Sequence, residues 1–361
     1  MKLRSILAAA ALALLASPAL AGPVGELHRT AQRPDAAVRD TGGSADVRVT
    51  VWYPASEGSR EQPLTIGPPG HPLFEVASAA PDAPFASGRA PVLLLSHGFG
   101  GTARMMGWFG VAMAREGYVV VAVDHPGNNG ADPMTVPGAL MFWERPGDLR
   151  AALALVAADP AIAPHIDLAR VGVAGFSAGG FTALASAGAK VDLARMVAFC
   201  QSHPEDGVCR PQVEFPISAE DQAKAMASPA FAGAERRAAQ DHTIPQVRAA
   251  FAMAPAIVQA LDPASLAAMR RPVMIVAGDA DTVAPPATNA EVAARAIPGA
   301  ALELLPKVGH YDFLSVCTPA GLEAIPICKV ETPKAETHRR AIEAARVFFA
   351  RALSAPGQAS P

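Results

Sequence analysis

A serine set between two glycines, Gly175-Phe176-Ser177-Ala178-Gly179, is the residue of this chain best placed to do chemistry. The apolar run from Val171 to Ala174 reads as a buried parallel strand. The small residues that follow Phe181 read as a helix, so Ser177 falls on a sharp strand-to-helix turn. At such a turn, side chains two residues either side of the serine would collide with the neighbouring strand and helix. The hydroxyl is lifted above the sheet edge, and the free N–H groups of the first helical turn favour negative charge beside it. The chemistry this suits is acyl transfer, in which the serine attacks a carbonyl and backbone N–H groups hold the resulting oxyanion.

Serine is a weak nucleophile unless a base and an orienting acid accompany it. In this architecture both follow the nucleophile, each on a loop after a later core strand. The run Val273 to Ala277 leads into Gly278-Asp279-Ala280-Asp281, and the run Ala301 to Leu305 leads into Val308-Gly309-His310-Tyr311-Asp312. Asp281 is taken as the acid, because Asp279 lies nearer the strand and suits a turn-capping role. His310 is taken as the base. His28, His71 and His338 lie far from any strand end, and His97 and His125 lie on strands that precede the nucleophile. The oxyanion hole is assigned to the amides of Ala178 and Phe99, the latter in the loop Ser96-His97-Gly98-Phe99-Gly100-Gly101. Gly98 and Gly100 let that backbone approach a bound carbonyl. Gly98, Trp143, Phe176 and Phe313 serve either as an apolar substrate pocket or as core.

The elements that must position these residues alternate strand and helix, which predicts an α/β fold with a doubly wound, mostly parallel sheet. Residues 46–54 alternate apolar and polar, as a half-buried strand near a sheet edge does. Residues 55–90, rich in Pro, Gly and Ser, read as a long loop. Strands follow at Val92 to Leu95 and Tyr118 to Val123, and a helix runs from Pro146 to about Ala158. Residues 190–245 interrupt the rhythm and read as a cap-like insertion that shapes the mouth of the site. After it come a strand from Val247 to Ala254, the two acid- and base-bearing strands, and a helix from His338 to Leu353. One domain is thus expected over residues 22–353.

Residues 1–21 read as an export leader, with Lys2 and Arg4, an apolar stretch from Ile6 to Ala16, and a small-x-small site before cleavage after Ala21. The stretch is too short to span a bilayer. The expected location is periplasmic or secreted, with no stable membrane anchor. The tail, residues 354–361, is expected to be disordered. Lys and Arg total 30 against 33 Asp and Glu, with no basic run, which argues against a nucleic-acid partner. Four cysteines in an exported chain suggest disulfides, with three connectivities possible. The local pairs Cys200–Cys209 and Cys317–Cys328 are favoured, since each closes a short segment rich in Pro and Gly. No Cys-x-x-Cys or His-x-x-x-His spacing supports a metal site.

One rival reading uses the same loop. Gly98-Phe99-Gly100-Gly101-Thr102-Ala103 fits a dinucleotide fingerprint, with Asp124 ending the next strand, as an NAD-binding oxidoreductase requires. Against it stand the export leader, the histidine before the first glycine, and a serine–acid–histidine series left without a role. The motifs together resemble the α/β-hydrolases, and within them the bacterial predicted dienelactone hydrolases related to platelet-activating-factor acetylhydrolase. The residues that carry this are Val51-Trp52-Tyr53-Pro54, His97-Gly98-Phe99-Gly100-Gly101, Asp124-His125-Pro126-Gly127, Arg145-Pro146-x-Asp148, the Ser177 turn, Asp281 and Gly309-His310. The resemblance implies an α/β-hydrolase fold and a serine esterase, independent of metal or cofactor, acting on small carboxylic esters or lactones. Dienelactone hydrolases use a cysteine where this chain has Ser177, which counts against lactone specificity. A peptidase or amidase on the same scaffold is the alternative.

Overall fold

The computed structural model describes residues 22–329 and 332–354; the leader read at residues 1–21 and the tail beyond Ser354 lie outside them. In chain order the strands are β1 (Val24–Gln32), β2 (Asp46–Pro54), β3 (Gln62–Ile66), β4 (Phe74–Pro81), β5 (Ala90–Ser96), β6 (Val119–Asp124), β7 (Ile166–Phe176), β8 (Val247–Met253), β9 (Val273–Gly278), β10 (Ala301–Leu305) and β11 (Val316–Cys317). The helices are α1 (Gly107–Arg115), α2 (Val136–Leu140), α3 (Arg145–Ala158), α4 (Ala178–Ser186), α5 (Leu193–Ser202), α6 (Ala219–Met226), α7 (Pro229–Ala238), α8 (Pro263–Ala268), α9 (Ala290–Ala296), α10 (Pro319–Ala324) and α11 (Lys334–Ala352).

The strands form one sheet in the order β10-β9-β8-β7-β5-β6-β2-β1-β4-β11, with β3 paired to β4. From β10 to β6 all pairs are parallel; β2 joins β6 antiparallel and begins the mixed flank. The central strands are apolar on both faces because helices cover both. In β5, Val92 and Leu94 enter the core shared with α3 and α4, while Leu93 and Leu95 enter the core shared with α1 and α11. Because the loops that carry Ser177, Asp281 and His310 all leave carboxyl ends of parallel strands, they converge on one edge.

Two expectations need correction. β2 is an interior strand between β1 and β6, with Val47, Val49, Val51, Trp52 and Tyr53 all buried. The run read as a loop over residues 55–90 contains β3 and β4, and β1 is a further strand ahead of β2. These strands are polar, small-residued or short; they take their order from pairing with β2 and with one another, which local pattern does not reveal. The consequence reaches the site, since β4 pairs with β11, just downstream of His310.

Residues 190–245 stand between α4 and β8 and carry α5, α6 and α7. The polar stretch over residues 219–240 is two helices, divided where Ser228 caps α7 and Pro229 opens it. The segment is fastened to the body by Trp143 Nε1, which donates to the Ala234 carbonyl at 3.0 Å, and by Arg237, paired with the buried Glu144 at 2.9 Å.

Candidate active site

β7 delivers Ser177 at φ 56° and ψ −119°, a conformation that costs a non-glycine residue free energy and persists only where its surroundings enforce it. Here the Ser177 N–H donates to the Met253 carbonyl on β8 at 2.9 Å, and its own carbonyl accepts from Gly180 and Ala256. Both flanking glycines are sterically required. A Cβ on Gly175 would lie 2.1 Å from the Gly179 carbonyl oxygen, and one on Gly179 would lie 2.0 Å from that of Ser96. Gly179→Ala is therefore expected to destabilise by about 3 kcal/mol or more, as severe overpacking does. A thermal melt indistinguishable from wild type would show that the turn is looser than its geometry.

The serine Oγ lies 2.8 Å from His310 Nε2, and His310 Nδ1 lies 2.6 Å from Asp281 Oδ2. The other Asp281 oxygen accepts the N–H groups of Val283 and Ala284, at 2.9 and 2.8 Å. All three side chains are buried. Asp279 does something else, accepting the Lys307 N–H at 2.7 Å and so clamping the acid loop to the loop after β10. His310 opens a short helical turn, His310–Phe313, held from several sides. Trp108 Nε1 donates to the Phe313 carbonyl, Lys334 Nζ to that of Tyr311, and Ser315 Oγ to that of Met105. The Phe176 ring packs against the imidazole, with centroids 4.8 Å apart.

Ser177, Ala178 and Phe99 border a cavity of about 450 Å³ whose far wall comes from residues 190–245, including Leu193, Met196, Phe215 and Phe231. Among the described residues, the amides of Phe99 and Ala178 meet no acceptor. Trp143 belongs to the buried core and, with Phe142, also borders this cavity. Gly98, Phe176 and Phe313 do not. A Cβ on Gly98 would press on the Phe176 ring and on Ser177, and Phe176 and Phe313 stack on each other behind His310 as core.

The sulfurs of Cys200 and Cys209 lie within bonding distance, as do those of Cys317 and Cys328. The first pair lines the cavity wall, and the loop it closes presses Gly207 against the backbone of Thr282 and Val283 beside the acid. The second pair closes the segment after His310, where the Thr318 N–H also donates to the Leu73 carbonyl, just before β4, at 3.0 Å. Each loop is worth roughly 2–3 kcal/mol in the chain-entropy model. Reduction should thus lower the melting temperature, and opening the Cys200 loop should raise KM for bulky substrates more than it lowers kcat. Steady-state kinetics with and without reductant, beside a peptide map of the unreduced protein, checks both. A Cys200–Cys317 or Cys209–Cys328 peptide would refute the pairing.

Several residues that shape this site were not singled out for it in the sequence. His97 and His125 are buried and lose charge chiefly through desolvation, His125 being pushed down to about 3. Neutral His125 then donates from Nδ1 to Asp148 and accepts from Ser96 Oγ at Nε2. Asp148 is fully buried. Burial alone would raise its carboxyl, but Arg39, Arg33 and His125 outweigh that and hold it well below the usual carboxylate range. Arg145 and Asn128 grip the loop that carries Phe99. In the sequence His97, His125, Arg145 and Asp148 stand in the motifs that carry the family resemblance, but nothing local says which of them meet.

The fold and site define a doubly wound α/β protein with a serine, a histidine and an aspartate joined in hydrogen-bonded series at the carboxyl edge of its sheet. Residues 92–323 match the alpha/beta hydrolase family, and the chain belongs to it. It has the α/β-hydrolase fold. The solved structure of a ferulic acid esterase from Streptomyces cinnamoneus superposes with a TM-score of 0.59 over 96% of this chain and 94% of that one, at 21% identity. At that identity the likeness establishes the fold alone. No curated protein matches the chain.

Proposed function

We propose that this protein is an exported serine hydrolase that cleaves carboxylic esters through an acyl-enzyme. The observation that carries the reading is the unbroken series Ser177 Oγ to His310 Nε2 to Asp281, at the floor of an apolar cavity. His310 takes the hydroxyl proton as Oγ bonds to the ester carbonyl carbon. Asp281 holds the imidazole in the Nδ1–H tautomer and steadies the imidazolium. The amides of Phe99 and Ala178 receive the oxyanion. The tetrahedral adduct collapses, its C–O bond breaks, and His310 returns the proton to the departing alkoxide. Water, deprotonated by His310, then releases the acid and restores Ser177.

The same residues suit amide cleavage, which is the second reading. The cavity walls of Phe142, Trp143, Phe215 and Phe231 support a bulky apolar or aromatic group on the ester, and the ferulic acid esterase likeness makes aromatic acyl esters a fitting arm of the test. Ser177 in place of a cysteine supports a simple ester over a dienelactone. The dinucleotide reading has less support, since Asp124 accepts the Ala103 N–H at 2.7 Å and pairs with Arg48 at 3.2 Å. The leader read at residues 1–21 and the two cysteine pairs support export.

The test is a panel of p-nitrophenyl esters of rising chain length, with aryl esters and the matching anilides, run with and without EDTA. Turnover of bulky esters, unchanged by the chelator and far above that of the anilides, is the expected result. Anilide hydrolysis at comparable kcat/KM would favour the peptidase reading, and loss of activity in EDTA would overturn the metal-independent one.

A further inference from the structure

The peptide unit joining Gly98 to Phe99 is pinned by its carbonyl. A trans peptide is planar, so the direction of its C=O fixes the opposite direction of its N–H. The Gly98 oxygen accepts three donors: His97 Nδ1 at 2.6 Å, Arg145 at 3.0 Å and the Gly101 N–H at 3.3 Å. Arg145 also donates to the preceding carbonyl, that of His97, at 2.6 Å, and to Asn128 Oδ1 at 2.9 Å. That same Asn128 oxygen accepts the Gly100 N–H at 3.1 Å. Both sides of Phe99 are therefore anchored while its own N–H is left without an acceptor among the described residues.

A buried guanidinium is a costly way to brace a loop unless its geometry is used. Arg145 is 2% exposed, and its donors turn to two backbone carbonyls and an amide oxygen rather than to a carboxylate. Its backbone stands at the start of α3, one turn before Asp148, which Arg39 grips with both nitrogens at 2.9 and 2.7 Å and Arg33 meets at 2.6 Å. Arg33, Arg39 and Arg237 pair with the two carboxylates, Glu144 and Asp148, while Arg145 directs its donors to the loop, leaving positive charge behind it. A cation on the C=O end of a peptide polarises its N–H further toward an anion at the other end.

We infer that Arg145 and Asn128 are positioning residues for the reaction, fixing the Gly98–Phe99 peptide so that its N–H is presented to the oxyanion before substrate arrives. The inference rests on the serine-hydrolase reading above. Arg145→Lys keeps a charge but offers one point of contact in place of the guanidinium fork. Asn128→Ala keeps every charge and removes the one oxygen that both clamps Gly100 and accepts from Arg145.

The experiment measures kcat and KM for the best p-nitrophenyl ester, with kcat normalised to sites labelled by a fluorophosphonate, and the affinity for a trifluoromethyl ketone that adds to serine as an oxyanion. Losing an oxyanion donor outright costs about 10²–10³-fold, so misaiming one should cost about 10–100-fold in kcat. KM should stay within about threefold on the same argument, and ketone affinity should fall in parallel with kcat. If Arg145→Lys does not fold, Asn128→Ala decides alone. Folded variants with unchanged kcat, a change confined to KM, or a kcat loss without loss of ketone affinity would each overturn the inference. The label in the wild-type protein separates the two ideas. If it maps away from Ser177, the serine-hydrolase reading has failed. If it maps to Ser177 while the variants stay fully active, only the positioning role has.

Discussion

Ser177→Ala should abolish ester hydrolysis, lowering kcat by on the order of 10⁶-fold, the loss seen when a triad nucleophile is removed elsewhere. The fold should survive. Alanine fits the volume, and the turn is held by backbone bonds, from the Ser177 N–H to Met253 and from Gly180 and Ala256 to the Ser177 carbonyl, which alanine also makes. A melt within a few degrees of wild type and loss of fluorophosphonate labelling complete the expected result. Because the three residues act as a unit, adding His310→Ala to Ser177→Ala should cost little more. A folded Ser177→Ala protein that keeps a tenth of wild-type turnover would remove Ser177 as nucleophile, whatever the hydrogen bonds suggest.

Asp281→Asn is expected to cost about 10⁴-fold in kcat, with the fold again intact. The reason lies in what Asp281 already accepts. One of its oxygens takes the N–H groups of Val283 and Ala284, and the other faces His310 Nδ1. In the asparagine variant the single amide oxygen is claimed by those two backbone donors. The NH₂ group then turns to Nδ1 and forces it to accept, so the ring proton moves to Nε2 and points at the Ser177 hydroxyl that it should deprotonate. Asp279→Asn is the control. It retains an acceptor for the Lys307 N–H, so its kcat should stay within a few-fold of wild type. A crippled Asp279→Asn beside an active Asp281→Asn would reassign the acid.

Much of the site was legible because its parts are tied to strand ends, and strand ends are written locally. The run before Ser177 is apolar on both faces, and the glycines either side of it answer to contacts only a few residues or one strand away. Asp281 and His310 follow β9 and β10 in the same way, so chain order and topology place them together without any knowledge of their side chains. The local disulfide pairs also close over short segments.

Three kinds of fact came only from the tertiary structure. The strands β1, β3 and β4 are ordered by their partners, and their sequences are too polar or too small to declare it. Phe176 and Trp143 look alike as aromatic candidates, yet one packs behind the imidazole and the other forms cavity wall. The buried network of Arg33, Arg39, His125, Arg145 and Asp148 joins residues more than a hundred positions apart. Periodicity reports only whether a side chain faces core or water, so it cannot say which buried charge meets which carbonyl. The sequence determined where Ser177, Asp281 and His310 fall along the sheet edge, because turn sterics and strand hydrophobicity act over a few residues. Which segments wall the cavity beside Ser177, and what holds the Gly98–Phe99 peptide, were decided by the docking of distant segments, where long-range packing and charge pairing set the geometry.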